Sequence, residues 1–325
     1  MGRKKGKGRH KSSSDVQVGL SAKARRAQSR KGVASPTYGH AGLWWESARP
    51  KTLWAGFAPV LIGCAIAWAD KGFHGSTAFF CLLLGISVQI GTNYSNDYYD
   101  FIKGSDTEER KGPRRATASG LVKPGEMLRA SWVCFAITIM SGTILAVMAR
   151  VPMDLRWIIL VGTVICVLCG IAYTGGPFPI GYNGLGDLFA FFFFGPVAVI
   201  GTYWMQVGAL PQKVILASLA PGLFATALLA VNNLRDTDTD KKSGKRTLAV
   251  LLGKGFARIE YISCAGVGCL LPIVYARMEN SVWPLLALAT VFLAVSAIGK
   301  LTNQADANQL NQVLATTGKM ELLYA

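Results

Sequence analysis

Residues 76–106 read "STAFFCLLLGISVQIGTNYSNDYYDFIKGSD", and the fold turns on how the two halves of this stretch meet. The first twenty residues are apolar and about long enough to cross the hydrocarbon core of a bilayer as a helix. Three aspartates, Asp97, Asp100 and Asp106, follow directly. Carboxylates so close to lipid are costly, and by default they mark function.

Working outward, hydropathy gives about eight such spans, at roughly 53–69, 77–95, 127–148, 157–173, 185–205, 213–233, 258–276 and 281–298. Of the 325 residues, 51% are hydrophobic and 16% charged, against about 25% charged in an ordinary soluble domain. Mean hydropathy is +0.34. These numbers predict an all-α, polytopic transmembrane helix bundle over residues 41–325, with no separate soluble domain between spans.

The formal charge of +16 is concentrated at the start of the chain. Residues 1–40 carry eleven Lys and Arg from Arg3 to Lys31 against Asp15 alone, which predicts a solvated, disordered cytoplasmic tail. Beside a membrane domain its expected partner is anionic lipid rather than nucleic acid. No apolar run follows these charges as a secretory signal requires, although an acid-poor tail with serines also fits an organellar transit peptide. The expected location is a membrane, the bacterial inner membrane or an organellar one. All seven cysteines, Cys166 and Cys169 of the CxxC included, fall in apolar segments and read as small hydrophobes.

Loop charge sets the topology. With the tail cytoplasmic, the loops after the second and sixth spans share its side, and both are basic: Lys103, Arg110, Lys111, Arg114, Arg115 and Lys123 in one, Arg235, Lys241, Lys242, Lys245, Arg246 and Lys254 in the other. The second of these follows another acidic cluster, "NNLRDTDTD" at 232–240. Asn96 to Asp100 and Asn232 to Asp236 share a four-residue step. On helix ends, Asp97 with Asp100, and Asp236 with Asp240, share a face.

Two acidic surfaces on one side of a bundle repel unless cations lie between them. Oxygen donors without histidine or cysteine suit magnesium, which takes one or two carboxylates plus substrate phosphates. The adjacent basic residues suit the remaining oxygens of a diphosphate. The pattern predicts a diphosphate site at the membrane surface; the alternative is a pair of merely solvated loops.

These residues resemble the intramembrane aromatic prenyltransferases of UbiA type, and within them the 1,4-dihydroxy-2-naphthoate polyprenyltransferase (MenA-like) branch. The resemblance is carried by "ARPKTL" at 48–53, "NDYYDFIKGSD" at 96–106, "YTGGPFPIGYNGLGD" at 173–187, "FFFFGPVAVIGT" at 191–202 and "NNLRDTDTDKKSGKRTLAVLLG" at 232–253. It implies transfer of a polyprenyl group from polyprenyl diphosphate to 1,4-dihydroxy-2-naphthoate with decarboxylation, giving demethylmenaquinone. It also implies Mg2+ held through Asn96, Asp97, Asp100, Asn233, Asp236 and Asp240, with Asp106 a further candidate. Asp97, Asp100, Asp236 and Asp240 are the expected catalytic carboxylates.

Candidates for binding the diphosphate or the acceptor carboxylate are Lys103, Arg110, Arg114, Arg115, Lys245 and Arg246. Tyr173 or Tyr182, in the Gly/Pro-rich segment, is expected to position a ring hydroxyl. Tyr98, Tyr99, Phe178 and Phe191 to Phe194 are candidate cation-stabilising rings. The resemblance implies nine helices, and "TGKMELLYA" at the chain's end is expected to hold only the start of the ninth. Other aromatic acceptors or a phytyl donor fit the same pattern. A cation transporter is the alternative of another class, but it favours acidic residues near the midplane and access from both sides.

Overall fold

The computed structural model describes residues 40–106, 112, 115–302 and 304–325, with the side chains of His40 and Lys51 left out. The tail expectation, and Arg110 and Arg114, therefore lie outside the described residues. Every regular element among the described residues is a helix, as lipid demands, because a helix satisfies its backbone polar groups within itself.

A short helix α1, His40–Ser47, leads through a 3-10 turn, Pro50–Thr52, into α2, Trp54–Ala69. There follow α3, Gly75–Lys103; α4, Pro124–Met148; α5, Trp157–Ala172; and α6, Gly186–Val207. Next come α7, Gln212–Lys242; the single turn α8, Leu248–Leu251; α9, Lys254–Met278; and α10, Thr290–Gly299, entered through a 3-10 segment, Trp283–Ala289. All eight expected spans are present as helices. Six are long and apolar enough to cross a membrane, and two, Trp54–Ala69 and Trp283–Gly299, are shorter.

The C-terminal segment departs from expectation. It forms an 18-residue helix, α11 (Ala307–Tyr324), started by a capping box in which the Asp306 carboxylate accepts from the Gln309 N–H. Helix α11 packs on α7, α10 and α2, with the Tyr324 ring 5.1 Å from that of Phe224. The wall that a missing ninth helix would leave open is closed.

Helix α3 runs against α4, and α7 against α9. Helix α5 packs on α3 and α4, whereas α6 packs on α2 and α7; the space between these groups becomes the cavity described below. In α6, Pro196 lies in a π-helical turn, Phe193–Val197; proline has no N–H for a regular ladder, and such bulges recur at functional sites. The bulge seats closely on α7, since a Cβ on Gly195 would lie 2.6 Å from the Ser218 carbonyl oxygen.

Two helices matter most. Both α3 and α7 continue unbroken beyond their apolar stretches, at 29 and 31 residues, and carry the acidic motifs in their last turns. Gly104, in the left-handed conformation (φ 71°), ends α3.

Candidate active site

The first motif forms one wall of a cavity of about 1000 Å3 that Asn96, Asp97 and Asp100 all line. Helical spacing brings these three side chains to one face, and the loop that follows α3 folds back over them. Its backbone N–H groups at Ala116 and Thr117 donate to the two oxygens of Asp97, each at 3.2 Å. Arg115 reaches Asp100 at 2.9 Å, and Lys245 approaches it from the α7–α8 connection at 3.3 Å. Thr174 donates to Asn96 Oδ1 at 2.8 Å.

The second motif forms the facing wall, with Asn232, Asn233, Asp236 and Asp240 all lining the same cavity. Arg235, 4% exposed, forks onto Asp236 through Nε at 2.9 Å and Nη2 at 2.6 Å. It also donates to Asn232 at 2.6 Å and, across to α11, to Asn311 at 2.7 Å. A fork of this kind is the strongest pairing a carboxylate makes with a side chain.

The Gly/Pro-rich segment closes the mouth between the walls. Gly176 and Gly184 take positive φ, which suits glycine, and the Gly181 N–H returns to the Tyr173 carbonyl at 2.8 Å. Gly181 and Gly186 also make room for Tyr173, because a Cβ on the first would lie 2.9 Å from its ring and one on the second 2.9 Å from its hydroxyl. Tyr182 donates to Asp100 at 2.7 Å, shares a 2.6 Å hydrogen bond with Ser105, and holds the ammonium groups of Lys103 and Lys245 over its ring at 4.8 and 4.7 Å. Burial, and then the charge of Asp100, push the Tyr182 phenol well above its ordinary value, so it remains a donor.

The cavity thus gathers ten of the expected residues: Asn96, Asp97, Asp100, Arg115, Tyr173, Tyr182, Asn233, Asp236, Asp240 and Lys245. Three others sit differently. Asp106 lies behind Arg115, 3.6 Å from its Nε. Lys103 donates to the Thr174 carbonyl at 2.5 Å, bracing the segment rather than lining the cavity. Arg246 has an exposed side chain, and its N–H holds the Tyr182 carbonyl at 2.9 Å.

The expected metal set is not a closed cage. Among the described residues no three His, Cys, Asp or Glu side chains converge on one point, and Asp100 and Asp236 are matched by arginines. The donors still fit magnesium: all are hard oxygens, presented in small numbers from facing walls, as suits an ion that completes its shell with phosphate and water.

Two residues escaped the sequence reading. Arg49 lines the cavity in the left-handed conformation (φ 57°) immediately before Pro50, a costly backbone state that clusters at functional sites. Its signal was "ARP" at the head of the first span. Asp187 is buried in the first turn of α6; it ends the segment 173–187 quoted above, but nothing there marks it beyond a lone acid at a span's start.

Beyond the motifs the cavity is mostly apolar, with Gln89, Thr92, Thr163 and Thr202 among its few polar side chains. Phe189, Phe193 and Phe194 line it, as do Ile159, Cys166, Trp204 and Met205. The phenylalanine run is split, since Phe191 covers Gly222 and Phe192 is exposed. Tyr98 packs toward Trp44 and Ala48, Tyr99 against Gly175, and Phe178 is exposed. At 1.5 Å per residue, the lining from Asp97 to Cys81 along α3 extends about 24 Å, most of a bilayer's core.

The family model that matches this chain is the UbiA prenyltransferase family, over residues 56–320. Among curated proteins, the chain is 36% identical over 285 residues to the 1,4-dihydroxy-2-naphthoate octaprenyltransferase of Haemophilus influenzae, covering 86% of this chain and 92% of the relative. It is 36% identical to the enzyme of that name from Mycobacterium tuberculosis, covering 87% and 94%. Among solved structures it is similar to a UbiA homolog from Archaeoglobus fulgidus bound to GPP and Mg2+, with TM-score 0.65 and 14% identity over 87% of this chain and 96% of that one.

Proposed function

We propose, from the premise that the chain belongs to the UbiA prenyltransferase family, that it transfers a polyprenyl group from its diphosphate to 1,4-dihydroxy-2-naphthoate in menaquinone biosynthesis. The observation that carries this reading is one cavity with two acidic motifs facing each other at its mouth and a mostly apolar, phenylalanine-lined interior about 24 Å long by helix rise. The relatives at 36% identity support the naphthoate as acceptor.

Ionisation of an allylic diphosphate puts negative charge on the leaving group and positive charge on carbon. Arg115, Lys245 and Arg49 meet the first, as preorganised cations in a site screened from water. Asn96, Asp97, Asp100, Asn233, Asp236 and Asp240 would hold Mg2+, which would supply the remaining neutralisation of the diphosphate. Phe189, Phe193 and Phe194 line the cavity, and aromatic rings there can stabilise the carbocation without offering it a nucleophile. The acceptor ring attacks through the carbon that bears the carboxylate. The new carbon–carbon bond forms there, carbon dioxide leaves, and the released electron pair restores the ring as the quinol form of demethylmenaquinone. Tyr173, fixed by Gly181 and Gly186, is placed to orient an acceptor hydroxyl.

The basic loops flank both motifs, which supports a cytoplasmic site, and the apolar helices make the chain an integral membrane protein. The test is to incubate the purified protein with Mg2+, a panel of prenyl diphosphates and a panel of aromatic acceptors, and to weigh the products. A prenylated, decarboxylated naphthalene product is expected. Turnover of hydroxybenzoate or homogentisate with none of the naphthoate would overturn the assignment.

A further inference from the structure

We propose that Gln89 is a specificity-determining residue for the acceptor: its amide takes the ring hydroxyl farther from the carboxylate, and so selects para-dihydroxy aromatic acids over monohydroxy ones. This rests on the acceptor reading above and concerns a polar side chain which that reading leaves idle. Gln89 lines the cavity seven residues before Asn96 on α3, hence about 10 Å deeper and on the same helix face. Among the described residues no group hydrogen-bonds its amide. An amide at that depth in a mostly apolar chamber is costly to leave unmatched.

Other polar side chains of the lining are accounted for. Thr163 donates to the Ile159 carbonyl of its own helix at 2.7 Å, and Thr92 turns its hydroxyl onto α5, where a Cβ on Gly170 would lie 2.5 Å from it. Gln89 has neither arrangement. Its stem is pinned instead, because α2 and α3 meet closely at this level: a Cβ on Gly56 would lie 3.3 Å from the Gly85 carbonyl oxygen and 3.7 Å from Gln89 Cβ. The end left for the cavity is the amide.

The ligand that fits is decided by its edges. A prenyl tail has no polar group to offer this amide. A dihydroxynaphthoate has two unlike edges: its carboxylate belongs with the cations of the mouth, Arg115 and Lys245 among them, and the hydroxyl farther from it then points inward. There it would lose its water without replacement, unless a group that both donates and accepts, as an amide does, meets it. The distance between the two ends is held by Asn93, one turn above Gln89, whose NH2 donates to the Ala48 carbonyl at 2.9 Å and ties α3 to the segment that carries Arg49.

The test titrates the purified protein anaerobically, by calorimetry, with 1,4-dihydroxy-2-naphthoate and with 1-hydroxy-2-naphthoate, which lacks only the inward hydroxyl. Mg2+ and inorganic pyrophosphate are present and the prenyl donor is left out, so that nothing turns over. Wild type is expected to bind the dihydroxy acid about tenfold more tightly, the worth of one hydrogen bond whose loss leaves a buried amide unmatched. Gln89→Met, close in size and without an amide, should shrink that ratio below about threefold by weakening the dihydroxy acid. Gln89→Leu repeats the measurement if the Met variant does not fold. A wild type that binds both acids equally, or a variant that keeps the tenfold ratio, would overturn the proposal and leave the acceptor reading standing. A wild type that binds neither acid would bring down the acceptor reading itself, and this inference with it.

Discussion

Tyr182 offers the sharpest test of how the mouth of the cavity works, because one side chain makes two separable kinds of contact. Its hydroxyl donates to Asp100 at 2.7 Å, while its ring carries the ammonium groups of Lys103 and Lys245 at 4.8 and 4.7 Å. Tyr182→Phe deletes the first and keeps the second. A hydrogen bond to a charged group is worth about 1.5–3 kcal/mol; at a half-buried mouth where water refills part of the loss, the lower figure applies, or about a tenfold fall in kcat/KM. Tyr182→Ala also removes two cation–π contacts, each about 0.5–1 kcal/mol at sites open to solvent, for a total fall of about a hundredfold. Initial rates with the donor varied at saturating naphthoate give both numbers. A Phe variant with wild-type kcat/KM would refute the role of the hydroxyl, and an Ala variant no worse than Phe would refute that of the ring. Burial and the Asp100 charge hold the phenol above its ordinary value, so Tyr182 stays protonated and should contribute no alkaline limb to the wild-type rate below about pH 10.

Asp100→Ala and Asp236→Ala should each abolish transfer while leaving membrane insertion intact, and full turnover by either purified variant would refute the site. Trp204 lines the cavity nearly five helical turns along α6 from Gly186; Trp204→Gly should shift preference toward longer prenyl donors in a competition assay read by product mass, and an unchanged product distribution would refute a limiting role. On the opposite face, Asp70 joins Lys213 at 2.6 Å and Tyr203 at 2.7 Å. Burial raises its carboxyl, but these two hydrogen bonds outweigh it and hold the group below its ordinary value. The stability it confers is therefore present above about pH 4 and lost as pH falls through the lower folded value. Asp70→Asn should melt below wild type at neutral pH, with the gap closing in acid; a gap independent of pH would refute the pairing.

The spans were legible because hydropathy alone forces them, and so was the cavity's carboxylate set, because acids at the end of a span have few other uses. Electrostatic matching across distant chain segments was not. Arg235 reads in sequence as one more cytoplasmic basic residue, yet it is buried and forked onto Asp236. Only packing against α11 reveals that. Arg246 and Lys103 read as anion ligands, but a loop that must be braced used one N–H and one ammonium for the purpose. The ninth helix was missed for a related reason: "ANQLNQVLATTGKMELLY" has too many polar residues for a hydropathy scan, and its apolar side is defined only by the neighbours it meets. Asp187 is harder still, since its hydrogen-bond partner Asn233 lies 46 positions later.

The hydrogen bond from Arg235 to Asn311 also bears on how the enzyme is made. Helix α11 lies well downstream of α7, so in synthesis from the N-terminus the second acidic motif is made long before the partner that steadies it. Until α11 docks, the guanidinium that neutralises Asp236 lacks one of its anchors, and the mouth of the cavity lacks its last wall. The fully anchored form of the second motif therefore exists only once α11 has packed against α7.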